Sequence, residues 1–182
     1  LHTHTEYSDG TETPRRVMEL AKAAGLSAIA ITDHDILDGY EEAIPVAHEL
    51  GLELIPGLEM SASQNGHEVH ILGFFIDSRH AAFQQRLAEQ RTRRIQRIHD
   101  MVAALSKMGV AITSEEVLTI AGKGAVGRPQ LAEALLQRGY IRTLKEAFER
   151  YIGNSNPAFV PGSPLSPKIA IQAIREAGGI PV

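Results

Sequence analysis

Short apolar runs alternate with amphipathic segments through the first 77 residues. Ala28 to Ile31 is apolar at every position, as a strand covered on both faces requires, whereas Val17, Leu20, Ala21 and Ala24 recur at helical spacing. Thr13 caps that first helix, Pro14 takes its first position and Gly25 stops it. A second helix is expected over Gly39 to Leu50, bent or delayed by Pro45 and ended by Gly51. Leu1 to His4 reads as the end of a first strand, Ser27 to Ile31 as the next and Leu52 to Leu58 as the third. Ser63-Gln64-Asn65-Gly66 is a turn before a strand over Glu68 to Phe75, so a hairpin interrupts the rhythm. This βα alternation predicts an α/β fold with a mainly parallel sheet or barrel.

The pattern changes after Asp77. Phe83, Leu87, Ile95, Ile98, Val102 and Leu105 predict one long amphipathic helix from Arg79 to Met108, followed by shorter helices over 114–121, 129–138 and 143–151. Residues 79–152 therefore read as a helical insertion in an α/β body made of residues 1–78 and 153–182. Residues 154–167 are rich in Pro, Gly and Ser, and the βα rhythm returns with a helix over Ser166 to Ala177 and an apolar start at Ile180-Pro181-Val182. The chain opens at Leu1 rather than Met and stops as a strand begins, so the parent protein is expected to continue.

Composition narrows the function classes. With 182 residues, 43% hydrophobic and 22% charged, the chain is long enough for one core, and its apolar runs fall far short of a membrane span. The net charge of −4 provides no overall cationic field for nucleic acid, and the absence of cysteine removes disulfides, thiolate metal sites and thiol nucleophiles. A soluble, cytoplasmic protein is the expectation. The chain carries eight histidines, and several of them fall at predicted strand ends.

His2 and His4 lie two apart on an extended segment, which aims both imidazoles to one side. Asp9 sits in the turn Ser8-Asp9-Gly10, and His34 follows a buried strand in Thr32-Asp33-His34-Asp35, where Asp33, Asp35 or Asp38 could instead cap the next helix. Glu59 ends the run Leu54 to Leu58. His67 and His70 fall on opposite faces of one strand, so one of them points inward, and His70 opens an apolar run. Loops at the carboxyl ends of strands share one face of an α/β fold, so His2, His4, Asp9, His34, Glu59 and His70 can converge there as ligands for a divalent metal. Imidazole and carboxylate ligands suit Zn, Mn or Fe, and shared carboxylates suit phosphoester hydrolysis.

These segments, Leu1-His2-Thr3-His4, Ser8-Asp9-Gly10, Ile31-Thr32-Asp33-His34-Asp35, Gly57-Leu58-Glu59-Met60-Ser61 and His70-Ile71-Leu72-Gly73, resemble the polymerase and histidinol phosphatase (PHP) family in order and spacing. Gly127-Arg128-Pro129, Tyr151-Ile152-Gly153 and Pro157-Ala158-Phe159-Val160-Pro161 narrow the likeness to bacterial PHP phosphoesterases acting on nucleoside 3',5'-bisphosphates and the 5' ends of short RNA. The resemblance implies a distorted (β/α)7 barrel holding two or three divalent metals. In it His2, His4 and Glu59 bind the first metal, Glu59 and His70 the second, and Asp9 with His34 the third. Each shell is one ligand short, the remainder being expected from an Ala-His-Pro and an Asp-x-His segment beyond Val182.

The implied function is hydrolysis of a phosphate ester on a nucleotide or a short RNA or DNA end by a metal-bound hydroxide, with Arg128 positioning the phosphate. Relatives often carry histidine where this chain has Gln130. The helix from Arg79 to Lys107 is locally basic, and Tyr140, Tyr151 and Phe159 are available to stack on a base. Two other readings stay open. One is a phosphatase for another small ester such as histidinol phosphate, and the other is a non-catalytic, metal-stabilised binding module.

Overall fold

The computed structural model describes residues 1–162 and 165–182. Helix α1 (Pro14–Ala23) starts where the sequence places it, with the Thr13 hydroxyl accepting from the Arg16 amide. It leads to β1 (Ala28–Ala30), which is buried at Ile29 and Ala30. Helix α2 (Asp38–Leu50) keeps Pro45 inside it and ends on Gly51 at φ 58°, a left-handed conformation that glycine adopts without a Cβ penalty. It returns the chain to β2 (Glu53–Ile55), which pairs parallel to β1 with Ala28 opposite Glu53.

The strand expected over Leu52 to Leu58 is two strands. Pro56 has no N–H to continue the β1–β2 ladder, and its carbonyl accepts from the Phe75 amide at 2.7 Å, so the chain changes sheets there. Beyond it, β3 (Gly57–Gln64) and β4 (His67–Phe74) form an antiparallel pair joined by Asn65-Gly66, whose φ values of 53° and 79° are those of a tight hairpin turn. The final β5 (Ile180–Pro181) adds antiparallel to β4. The mainly parallel sheet expected from the sequence is therefore corrected. Among the described strands only β1 and β2 form a parallel ladder, beside one isolated parallel bridge from His34 to Glu59, and the strands make a two-stranded and a three-stranded sheet. Leu1 to His4 is likewise not part of a ladder, because the Thr3 amide donates to the Thr32 hydroxyl at 3.1 Å rather than to a backbone carbonyl.

Helix α3 (Ala81–Lys107) is followed by α4 (Ser114–Ala121) and α5 (Arg128–Gln137). The helix expected over 143–151 is a short α6 (Leu144–Ala147) running into a π-helical turn at Phe148–Ile152, and α7 (Pro167–Glu176) closes the set. α3 belongs to two cores. Its first turns bury Phe83 and Leu87 against Leu58, Met60 and Ile174, while Ile98, Met101 and Leu105 pack with Val117, Leu131 and Leu135. Each of these large side chains, once fully buried, contributes roughly 1.5–3 kcal/mol. The shared helix thus fixes the sheets against the helical block, and the site lies along that seam.

Candidate metal centre and adjoining cleft

The segment carrying His2 and His4 is tied to the end of β1, Thr32 N donating to Thr3 O at 2.8 Å and Thr3 Oγ1 to Ala30 O at 2.6 Å. Thr3 faces the strand, so its neighbours project together, and their Nε2 atoms lie 3.0 Å apart. Both nitrogens are 3.1 Å from Glu59 Oε2. The chain then turns back, with the Ser8 and Gly10 amides both donating to Thr5 O at 3.0 Å. A Cβ on Gly10 would stand 2.4 Å from His4 O, which explains the glycine after Asp9. Asp9 is thereby placed with one oxygen 3.3 Å from His4 Nδ1 and the other 3.5 Å from His34 Nε2.

Glu59 is not at a strand end, as expected, but inside β3, where the backbone of residues 33–35 runs beside it. Asp35 N donates to Glu59 O and Glu59 N to Asp33 O, which brings His34 Nδ1 within 3.5 Å of Glu59 Oε2. Ser61 opposes His70 across the hairpin and Glu59 opposes Leu72, so Glu59 and His70 share a face as diagonal neighbours. His70 Nδ1 is 3.0 Å from Glu59 Oε1, whereas His67 lies exposed at the hairpin end.

One buried carboxylate thus has both oxygens engaged by imidazoles. The six side chains make three overlapping groups, His2–His4–Glu59, His4–Asp9–His34 and His34–Glu59–His70, each with ligand atoms within 4.8 Å of one another. His34 Nδ1 is buried without a hydrogen-bond partner, and it faces this cluster. An orphaned imidazole nitrogen amid convergent nitrogen and carboxylate donors fits a divalent cation.

The supporting contacts escape sequence reading. Asp33 is 1% exposed and accepts from Thr5 N, Thr5 Oγ1 and Ser8 Oγ at 2.7, 2.6 and 2.6 Å. Ser8 Oγ is in turn 3.1 Å from His4 Nδ1. A proton on Nδ1 donated to that hydroxyl leaves the lone pair of His4 on Nε2, facing Glu59 and His2. Neither Asp33 nor Asp35 caps α2, whose N-cap is Leu37 with no side-chain cap bond. The signal was the run of polar side chains leaving a buried strand, which the capping alternative explained too cheaply.

Electrostatics follow from the same contacts. Burial pushes the Glu59 carboxyl up, but hydrogen bonds from His4 and His70 and the nearby His34 hold it well below the usual carboxylate range. Burial pulls His4 down, and Glu59 and Asp9 more than reverse this. His70 is raised by its hydrogen bond to Glu59, and Asp9 is lowered by its hydrogen bond to His34.

A cleft of about 330 Å³ opens beside the cluster, with Asp9, His34 and His70 at one part of its wall and Arg94, Arg97 and Arg128 at another. Arg128 opens α5 and donates to Glu68 Oε2 at 2.5 Å and to Asn154 Oδ1 at 2.9 Å. Gln130 accepts from Gly127 N at 2.9 Å and donates to Ser8 O at 2.6 Å, tying the start of α5 to the loop that carries Asp9. Phe159 lies beneath Arg97 and Arg128, while Tyr140 and Tyr151 pack on the helical core rather than lining the cleft.

Residues 1–156 match the family described as PHP domain. The chain is 34% identical over 182 residues to the 5'-3' exoribonuclease of Haemophilus influenzae, covering 100% of this chain and 66% of that protein. It is 31% identical over 183 residues to the 3',5'-nucleoside bisphosphate phosphatase of Chromobacterium violaceum, covering 100% and 64%. A crystal structure of a Bifidobacterium adolescentis protein assigned as a metal-dependent phosphoesterase superposes with a TM-score of 0.91 at 35% identity, over 99% of this chain and 64% of that one. The chain thus spans just under two thirds of the length of these relatives. The motif residues, the cluster they build and the 156-residue match agree, and the chain belongs to the PHP domain family.

Proposed function

We propose that this protein is a metal-dependent phosphoesterase that hydrolyses phosphate esters of nucleotides or short oligonucleotides. The observation that carries the reading is the Glu59 carboxylate engaged through both oxygens at the centre of His2, His4, His34 and His70, with Asp9 alongside. His2, His4 and Glu59 would hold one divalent ion, with Glu59 and His70 at a second and Asp9 and His34 at a third; Mn, Zn and Fe suit these donors. Such ions supply Lewis acidity toward phosphoryl oxygens and activate water.

The protein's own side chains do the rest. Asp33, through Ser8, orients His4, and Gln130 holds the Asp9 loop against the helix that begins with Arg128. Arg128 offers a planar guanidinium on the cleft wall for the substrate phosphate. Relatives named as a 5'-3' exoribonuclease and a 3',5'-nucleoside bisphosphate phosphatase support this substrate class. The finer architecture belongs to the same reading. It is a distorted (β/α)7 barrel of which β1 to β5 form part, interrupted by a helical subdomain over 79–152, whose support is the separate core around Met101, Val117 and Leu131.

The test is a substrate panel run on the metal-loaded, full-length protein. Phosphate release from adenosine 3',5'-bisphosphate and from a 5'-phosphorylated oligoribonucleotide, in preference to histidinol phosphate, is expected. Turnover of histidinol phosphate alone would move the assignment to small phosphate esters. No turnover of any ester by a metal-loaded protein would leave a binding module.

A further inference from the structure

The loop that carries Asp9 is held by the helical block. Between α4 and α5 the backbone passes so close to that loop that a Cβ on Gly124 would stand 2.7 Å from the carbonyl carbon and oxygen of Tyr7 and 2.9 Å from Glu6 O. Ala125 N donates to Tyr7 O at 2.7 Å, and Gln130 Nε2 donates to Ser8 O at 2.6 Å. Helix α3 holds the same segment, Arg91 Nη2 donating to Lys123 O at 2.9 Å and Arg94 Nη1 to Val126 O at 3.2 Å. The backbone of Glu6, Tyr7 and Ser8 is thus fixed to the helical block just before Asp9.

Ala125 also serves the segment that carries His34. It packs with Tyr7 and Ile36 in a small core of its own, and Ile36 closely follows His34 in the chain. Asp9 Oδ2 and His34 Nε2, 3.5 Å apart, are therefore both set from one alanine of the helical block. The rest of the cluster has another foundation. His2 and His4 hang from the end of β1 through Thr3, and Glu59 is built into β3. The Glu59 side chain is 7% exposed and meets His2, His4 and His70 at 3.0 to 3.1 Å, whereas Asp9 is 35% exposed and meets His4, His34 and Ser8 at 3.3 to 3.5 Å. Asp9 depends on its loop for its place.

We propose that Gly124, Ala125 and Gln130 are positioning residues for Asp9, and that docking of the helical block assembles the Asp9–His34 part of the cluster. A divalent cation is then held between Asp9 and His34 only with the block in place, while His2, His4 and Glu59 bind theirs independently of it. The inference rests on the metal-dependent reading and divides its site in two, one part built by the sheets alone and one built jointly with the helices. The start of α5, which carries Arg128, cannot shift without moving the Asp9 loop, so the block that shapes the cleft also completes the metal centre.

The test is calorimetric titration of Mn2+ into the metal-free, full-length protein, which resolves the binding steps without reference to activity. Asp9→Asn should remove one step. Gln130→Met, similar in size but unable to donate to Ser8 O, and Gly124→Ala, whose Cβ forces the backbones apart, should each weaken that same step about tenfold. The remaining steps should stay within about twofold, as expected of independent sites. Adding Gln130→Met to Asp9→Asn should change nothing further. Val117→Ala thins the core of the helical block without touching the Asp9 loop, and it should leave every step in place. Should Gly124→Ala fail to fold, Gln130→Met carries the test alone. Loss of a step in Asp9→Asn with every step unchanged in Gln130→Met overturns this inference and leaves the metal reading standing. So does a Gln130→Met that weakens all steps alike, or a Val117→Ala that weakens the Asp9 step as much, since the block would then act through overall stability. If Asp9→Asn itself leaves every step in place, Asp9 is no ligand, and the ligand assignment falls together with this inference.

Discussion

Asp35 and Arg94 form a buried ion pair that joins the metal-ligand cluster to the helical block. Arg94 Nε and Nη2 donate to Asp35 Oδ2 at 2.9 and 2.7 Å, while the other oxygen of Asp35 accepts from Ser61 N at 2.8 Å. Arg94 also reaches Ser61 Oγ and Val126 O, so one guanidinium touches the strand of Glu59 and the segment leading to Arg128. Asp35 itself holds a left-handed backbone at φ 56°, which aspartate tolerates better than most residues.

Removing one partner of such a pair strands the other charge in a buried place. Arg94→Ala is expected to destabilise the protein by about 3 kcal/mol. Denaturant unfolding measures this, and a loss below about 1 kcal/mol, the ordinary worth of an exposed pair, would contradict it.

Gly39 lies against the carboxylate that supports His4. An added Cβ would stand 2.3 Å from Asp33 Oδ2 and 2.9 Å from Thr5 Oγ1. Asp33 is buried and triply hydrogen-bonded, so it has nowhere to move. Gly39→Ala should therefore cost about 1–3 kcal/mol and weaken metal uptake roughly tenfold or more, the scale seen when the supports of metal ligands are lost. Wild-type metal affinity in a stably folded Gly39→Ala protein would show that the Asp33–Ser8–His4 chain is dispensable.

The six candidate ligands stand out in the sequence as imidazole and carboxylate groups in short segments bordering apolar runs, although Glu59 and His70 lie inside β3 and β4 rather than at strand ends. What holds them does not. Asp33 reads equally well as a helix cap, and only the approach of Thr5 and Ser8 from 25 to 28 residues away shows otherwise. The break at Pro56 was visible as a residue, but its consequence, a switch from a parallel to an antiparallel partner, depends on Phe75 folding back upon it. Arg128 drew notice from its motif. Glu68, 60 positions earlier, carries no local sign that it will meet that guanidinium.

Metal uptake should depend on pH in a definite direction. In the metal-free protein Glu59 raises His4 and His70 above the ordinary 6.5, so these imidazoles keep their protons to higher pH than a free histidine and a metal competes with those protons. Affinity should rise as pH climbs from about 6 to about 8, with protons released on binding and up to about tenfold gained per pH unit for each proton displaced. Isothermal titration in two buffers of different ionisation enthalpy reads the proton count. Uptake without proton release would mean that these imidazoles are neutral before the metal arrives.

Metal removal should also lower stability, because ions that bind only the folded chain stabilise it by mass action, by about 2.7 kcal/mol at a hundredfold excess over Kd. A chelator should lower Tm in wild type and have a much smaller effect in Glu59→Gln, whose shared carboxylate is gone. Equal chelator shifts in the two proteins would place the stabilising metal elsewhere.

The most direct test of the central claim is elemental analysis of bound metal on the same full-length preparation assayed for phosphate release from adenosine 3',5'-bisphosphate, in wild type and in a variant with His2→Ala and His4→Ala. Two or three metals per chain with turnover in wild type, and loss of both metal and turnover in the variant, is the predicted result. A doubly substituted protein that keeps its metal and full activity would contradict the account.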